Sequence, residues 1–297
     1  MTGLIIKGIG GFYYVKTGDL IIECRGKGSF KNDGIKLAVG DIVEVEERDL
    51  SAEARKRGIE HEGFITAIHP RKNEFIRPPI VNVDTFAVTF AGKKPEPNLI
   101  LVDRFLIMAE MHDVEVIIVI NKSDLCDREK LDYYRSVYEK HYKVIEVSGK
   151  TGEGIAELEK LISGKVACFA GPSGVGKSTI INAIVPKANM ETGDISQKTE
   201  RGKHTTRHVE IFEAEGGGLV YDTPGFTSFE ILEADEENLM DFYPEIAEFK
   251  GKCYYDNCRH LKEPECAVKK AVRGGIINRI RYDSYVKNLE EIRKNMK

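Results

Sequence analysis

Val166-Ala-Cys-Phe-Ala170, Gly171-Pro172-Ser173-Gly174-Val175-Gly176-Lys177-Ser178 and Thr179-Ile-Ile-Asn-Ala-Ile184 follow one another without a break. The first run is short and apolar, as a buried strand requires, and the last continues as a helix. Between them the glycines let successive backbone N–H groups turn inward around phosphate oxygens. Lys177 reaches the β- and γ-phosphates, and the Ser178 hydroxyl is placed to ligate Mg²⁺. The helix N-terminus at Lys177-Ser178-Thr179 faces the same charge. A phosphate-binding loop alone does not separate GTP-binding proteins from ATPases or small-molecule kinases.

Asn121-Lys122-Ser123-Asp124 makes that separation. It ends Val114-Glu-Val-Ile-Ile-Val-Ile120, a β-branched run suited to a parallel strand buried on both faces. The Asp124 carboxylate accepts hydrogen bonds from guanine N1–H and N2–H₂. Adenine would leave that charge unpaired, so an ATP-dependent kinase is disfavoured. The Lys122 stem covers the base, and Asn121 ties the motif to the phosphate loop. A second strand end, Val144-Ile-Glu-Val-Ser148-Gly149-Lys150, supplies the supporting base-contact loop. Asp222-Thr-Pro-Gly225 follows the apolar run Leu219-Val-Tyr221, with Asp222 holding Mg²⁺ through water and the Gly225 N–H sensing the γ-phosphate.

These parts stand in an unusual order. The guanine motif precedes the phosphate loop, whereas an ordinary GTPase places it last, so the chain reads as a circular permutation. Arg201-Gly-Lys-His204-Thr205-Thr206-Arg207 lies between the phosphate loop and Asp222. A threonine there closes over Mg²⁺ in a switch segment, and Thr206, next to Arg207, is favoured over Thr205. A plain polar loop is the alternative.

The motif set resembles the RsgA family (also called YjeQ or EngC) of circularly permuted ribosome-biogenesis GTPases, over essentially the whole chain. Arg201 to Thr206 match its Gly-x-Gly-Lys-His-Thr-Thr pattern from the second position, with Gly202 as the second glycine and Glu200 where the first glycine is often found. The resemblance implies an N-terminal β-barrel, a permuted GTPase domain and a C-terminal zinc segment. It also implies binding to the small ribosomal subunit and its rRNA late in assembly, with hydrolysis stimulated by that subunit. Phe226 occupies the position where Ras-type enzymes place a water-orienting glutamine. The resemblance nominates His204 for that role, giving His204, Thr206 and Lys177 as the catalytic set. A nucleotide-gated RNA-binding scaffold with incidental hydrolysis is the alternative reading.

Six cysteines are present, at 24, 126, 168, 253, 258 and 266. Cys253, Cys258, His260 and Cys266 make Cys-x4-Cys-x-His-x5-Cys, four soft ligands that close a tetrahedral structural zinc site. The other three sit in apolar or strand-end contexts and read as small core residues. No signal-peptide pattern or membrane span is visible, so a cytoplasmic, monomeric protein off the membrane is expected. Net charge is −4, yet residues 268–297 carry nine Lys/Arg against three acids. That run is either a solvated helix face or an RNA contact.

The fold class is α/β with three expected domains. Residues 1–70 show short β-like runs broken by glycine turns, as in an OB-fold barrel that binds RNA, with Phe12, Tyr13 and Tyr14 assigned to its core. Residues 71–230 form the permuted GTPase domain, after the Pro70 and Arg77-Pro-Pro79 punctuation. Residues 231–297 form the zinc-binding domain with its basic helical tail. Because the chain leaves the GTPase just beyond Gly225, nucleotide state is expected to set the orientation of that last domain.

Overall fold

The computed structural model describes residues 1–28, 30, 34, 36–76, 79–185, 209–222 and 234–295. His204, Thr205, Thr206, Gly225 and Phe226 lie outside the described residues.

The alternating runs at the start of the chain form β1 (Thr2–Ile9), β2 (Phe12–Thr17), β3 (Leu20–Gly26), β4 (Ile42–Arg48) and β5 (Glu62–Ile68). They pair in the order β1-β2-β3-β5-β4, with β4 returning to β1, so the sheet closes into a barrel. All these pairs are antiparallel except β3–β5. Register shifts after Ile5 and Glu44 supply the local bend that closure needs. Ile5, Val15, Ile22, Val43, Val45 and Ile65 fill the interior. A short helix, α1 (Ala52–Lys56), joins β4 to β5 and is capped by the Ser51 hydroxyl, which accepts from the Ala54 N–H at 3.1 Å. Phe12, Tyr13 and Tyr14 are half-buried rather than core residues. The guanidinium groups of Arg25 and Arg57 cover the Phe12 ring at 4.4 and 4.6 Å.

A hairpin of β6 (Glu74–Phe75) and β7 (Ile80–Val81) leads into a mostly parallel sheet that is continuous with the barrel through the antiparallel pairing of β1 with its edge strand. That sheet is built from β8 (Thr85–Ala91), β9 (Glu115–Asn121), β10 (Lys143–Glu146), β11 (Val166–Ala170), β12 (Glu210–Glu213) and β13 (Leu219–Asp222), in the order β10-β9-β8-β11-β13-β12. Every pair is parallel except β12–β13. The connections are α2 (Leu99–Met111), α3 (Arg128–Tyr138) and α4 (Ile155–Ile162), and α5 (Lys177–Ile184) follows β11. The apolar strands need cover on both faces, and alternate residues supply it. Val116, Ile118 and Ile120 pack toward α2 and α3, while Ile117 and Val119 pack toward α4 and α5. α4 returns the chain from the β10 edge to β11, on the far side of β8. The phosphate-loop strand is therefore reached last among the three that meet at this crevice, as a permuted order demands.

The C-terminal part contains a 3₁₀ turn (Leu239–Phe242), α6 (Pro244–Ala247), α7 (Ala267–Arg273) and α8 (Arg279–Asn295). Its apolar cluster includes Leu239, Tyr243, Ile246, Val268, Tyr285 and Leu289, and it also takes in Ile107 from α2. The basic run is not a uniformly free face. Arg281 is 1% exposed and pairs with Asp103 of α2 and with Glu245, the latter at 2.5 Å. The Tyr243 ring lies 4.8 Å from its guanidinium. Arg104 of α2 pairs with Glu291 and donates to the Asn288 side chain at 3.1 Å. Arg293 and Arg279 pair with Glu236 and Asp283. A buried ion pair broken at one partner is strongly unfavourable. The segment is therefore joined to α2 by a buried ion pair and shared apolar contacts.

Candidate nucleotide site and metal centre

The carboxyl ends of β9, β10 and β11 bring the sequence motifs together, at the crevice where strand order reverses around β8. Asn121 ends β9 and is 2% exposed. Its side-chain amide donates to the Val175 carbonyl at 2.7 Å, and its oxygen accepts from the Gly149 N–H at 3.1 Å. One buried side chain thus joins the end of β9, the loop after β10 and the phosphate loop. Lys122 adopts a left-handed backbone (φ 60°) and its ammonium donates to the carbonyls of Lys94 at 2.5 Å and Gly174 at 2.8 Å. The contribution of Lys94 carries no sequence signal, because a backbone carbonyl can come from any residue.

Ser123 and Asp124 form a 3₁₀ turn, Ser123–Leu125. The Ser148 hydroxyl donates to Asp124 at 2.7 Å and also accepts from the Thr151 N–H at 3.1 Å. Asp124 is exposed while Ser148 is buried, so the serine fixes the carboxylate from beneath. A Cβ on Gly149 would come within 3.3 Å of Thr179 and 3.2 Å of Ile180, which places the Ser148-Gly149-Lys150 loop against the first turn of α5.

Gly171-Pro172-Ser173-Gly174-Val175-Gly176 forms the turn between β11 and α5. Gly171 (φ 146°) and Gly176 (φ 96°) hold backbones that L side chains rarely adopt, and a Cβ would collide with the Thr89 carbonyl at 2.0 Å and the Asn121 amide at 2.3 Å respectively. Lys177, 8% exposed, donates to the carbonyls of Gly171 at 2.7 Å and Pro172 at 2.8 Å. Burial lowers its pKa to about 8. Ser178 and Thr179 follow in the first turn of α5, and Asp222 ends β13, two strands from β8. The cradle fits a polyphosphate with its Mg²⁺: a glycine turn no side chain can fill, a helix N-terminus and a buried ammonium converge there.

In the C-terminal part Cys253, Cys258, His260 and Cys266 place their ligand atoms within 4.8 Å of one another. The three sulfurs lie 3.5, 3.5 and 3.4 Å from His260 Nδ1, and Cys253 Sγ is 3.9 Å from Cys266 Sγ. A tetrahedral ion with metal–sulfur bonds of about 2.3 Å and a metal–nitrogen bond of about 2.0 Å requires edges of roughly 3.5 and 3.8 Å. The cluster can hold a metal ion. The Ala267 and Lys269 N–H groups each donate to a sulfur at 3.4 Å, so the start of α7 supports the cysteine sulfurs. Cys24 and Cys168 are buried and Cys126 is partly so; all six cysteines are free of disulfides.

Known proteins resemble the chain along nearly its whole length. A model described as RsgA GTPase matches residues 68–232, and one described as RsgA N-terminal domain matches residues 2–58. The small ribosomal subunit biogenesis GTPase RsgA of Caldanaerobacter subterraneus subsp. tengcongensis is 45% identical over 296 residues, 99% of this chain and 97% of the relative. The protein of the same name from Agathobacter rectalis is 44% identical over 309 residues and is covered in full, as is this chain. The crystal structure of YloQ, a circularly permuted GTPase, superposes with a TM-score of 0.79 at 38% identity, covering 99% of this chain and 95% of that one. YjeQ from Thermotoga maritima superposes with a TM-score of 0.80 at 33% identity, covering 98% of each chain. With its barrel, its permuted sheet and these relatives along nearly its whole length, the chain belongs to the RsgA family of circularly permuted GTPases.

Proposed function

We propose that the chain hydrolyses GTP as a timing step in late maturation of the small ribosomal subunit, binding its rRNA and leaving once GTP is spent. The observation that carries this reading is Asn121, which locks the guanine motif, the Gly149 loop and the phosphate loop into one site. Asp124, held by Ser148, reads the guanine edge, and Lys122 and the Ser148-Gly149-Lys150 loop flank the base. The Gly171–Gly176 backbone and Lys177 cradle the phosphates. Ser178, Thr206 and Asp222 are assigned to Mg²⁺, which when bound neutralises charge on the β- and γ-phosphates. Gly225 is assigned to the γ-phosphate.

His204 is proposed to orient the attacking water, because Phe226 has no polar atom to do so. In His204→Ala we expect unchanged GTP affinity and subunit-stimulated turnover lowered by about 10²-fold or more. Wild-type stimulated turnover in that variant would move the role to another group. Zinc is the ion proposed for the Cys253-Cys258-His260-Cys266 centre, since three thiols and an imidazole with no open position suit a structural zinc site. The RNA-binding barrel is assigned to residues 1–70, the GTPase to 71–230 and the zinc unit to 231–297, in a cytoplasmic monomer. Co-sedimentation with small ribosomal subunits tests the whole reading: the chain should pellet with a non-hydrolysable GTP analogue and stay in solution with GDP. Equal binding in both states would contradict the switch.

A further inference from the structure

Barrel and GTPase strands are joined by the antiparallel β1–β12 pairing, and beside it a buried side chain bridges them. Tyr221, fully buried in β13, immediately precedes Asp222. Its hydroxyl leaves the sheet and reaches two carbonyl oxygens, Val81 in β7 at 2.6 Å and Val39 at the foot of the barrel at 2.9 Å. A phenol has one proton, so it is shared between the barrel and the strand that leads out of it. The approach requires Gly40. That residue has φ 96°, and a Cβ there would stand 1.7 Å from the Tyr221 oxygen.

The turn that receives the hydroxyl is itself fixed from several sides. The Gly40 N–H donates to the Ile5 carbonyl at 2.8 Å, and the Gly40 carbonyl accepts from the Asn82 side chain at 2.8 Å. Asp41, fully buried, accepts from Arg71 at 2.7 Å and from the Ala38 N–H at 2.7 Å. Besides the β1–β12 backbone pairing, ion pairs link barrel and GTPase strands, and these are partly exposed. Lys7 pairs with Glu210 at 2.7 Å across the β1–β12 contact, and Lys16 pairs with Glu213, all four side chains being partly exposed. Exposed pairs exchange readily with water, whereas a buried phenol loses its partner only at a cost.

We propose that Tyr221 is a positioning residue through which barrel and nucleotide site influence each other. It holds the end of β13, and with it the backbone of Asp222, to the 38–41 turn. Docking on the barrel then alters the phosphate-sensing strand, and nucleotide state alters the barrel by the same coupling. The inference rests on placing Asp222 in the nucleotide site. Sequence marks Tyr221 only as the last residue of an apolar run, because its partners are main-chain oxygens more than 130 residues away.

Hydrogen exchange of the full chain, loaded with GDP or with a non-hydrolysable GTP analogue, tests it in wild type, Tyr221→Phe and Gly40→Ala. Affinities for both nucleotides are measured on the same samples. In wild type, peptides spanning 36–48 and 79–83 should exchange differently in the two states. Either substitution should reduce that difference at least about fivefold, while the difference over 171–178 persists. A wild type with no nucleotide-dependent change in the barrel overturns the proposal. So does a Tyr221→Phe variant that keeps the full barrel difference, or one that loses it in both regions together. A wild type that binds no guanine nucleotide overturns the site assignment itself, and the coupling with it, and this is read from the affinities alone.

Discussion

Ser148 donates its hydroxyl proton to Asp124 at 2.7 Å while accepting the Thr151 N–H, so a buried serine holds an exposed carboxylate in place. The prediction concerns base choice. Asp124→Asn replaces a double acceptor by a group that donates, which suits the 2-oxo group of xanthine and not the amino group of guanine. Two charge-assisted hydrogen bonds are lost, so GTP should bind at least about 100-fold more weakly while xanthosine triphosphate gains. Titration with fluorescent nucleotides measures this; a variant that still prefers GTP as strongly as wild type would contradict the base assignment.

Lys177 makes the affinity depend on pH. Burial depresses its pKa to about 8, so the free chain is mostly charged there at pH 7, half charged near pH 8, and loses the charge as pH rises further. Bound phosphate favours the charged form, so at higher pH binding must first restore the proton. GDP affinity should therefore be flat below pH 7.5 and about fourfold weaker at pH 8.5 than at pH 7. Lys177→Ala should cost about 2–4 kcal/mol of phosphate stabilisation, read as weaker binding or slower turnover. Affinity that stays constant through pH 8.5 would show that the lysine does not bear on the phosphates.

Cys258→Ser should release the metal and loosen residues 234–295 with little change in GTP affinity, because ligand binding energy is folding energy for the segment it closes. Elemental analysis should find one zinc per wild-type chain and less in the variant. Loss of nucleotide affinity alongside the metal would show that the two sites are not separable in this way.

Arg281→Leu leaves Asp103 and Glu245 buried without their cation. The expected cost is about 3–5 kcal/mol of stability, concentrated at the contact between α8 and α2. Chemical denaturation gives the magnitude, and exchange over 239–295 shows where the loss falls. A change below about 1 kcal/mol would mean that the pair is not desolvated in solution.

The strands, the phosphate loop and the Cys/His quartet were legible because local chemistry specifies them: glycines at positive φ, apolar runs covered on both faces, four soft ligands within 14 residues. Long-range charge pairing was not. Arg281 stands in a basic run and reads as an exposed cation, yet its partner Asp103 is 178 residues earlier on a different helix. The aromatic run Phe12-Tyr-Tyr14 reads as core, but alternation sends Phe12 outward under two guanidinium groups. Lys94 and Thr89 shape the site through main-chain atoms, which leave no mark on residue identity. The segment bearing His204 and Thr206 lies outside the described residues, so those roles stand on sequence and resemblance.

The permuted motifs are proposed to assemble a GTP hydrolase that the small ribosomal subunit stimulates. Phosphate release by the purified chain, with GTP or ATP and with or without small subunits, tests it most directly. Hydrolysis of GTP should be slow alone and rise at least about tenfold with subunits, as expected where an outside surface completes the catalytic geometry, with ATP left untouched. Equal hydrolysis of ATP, or GTP turnover indifferent to the subunit, would contradict the account.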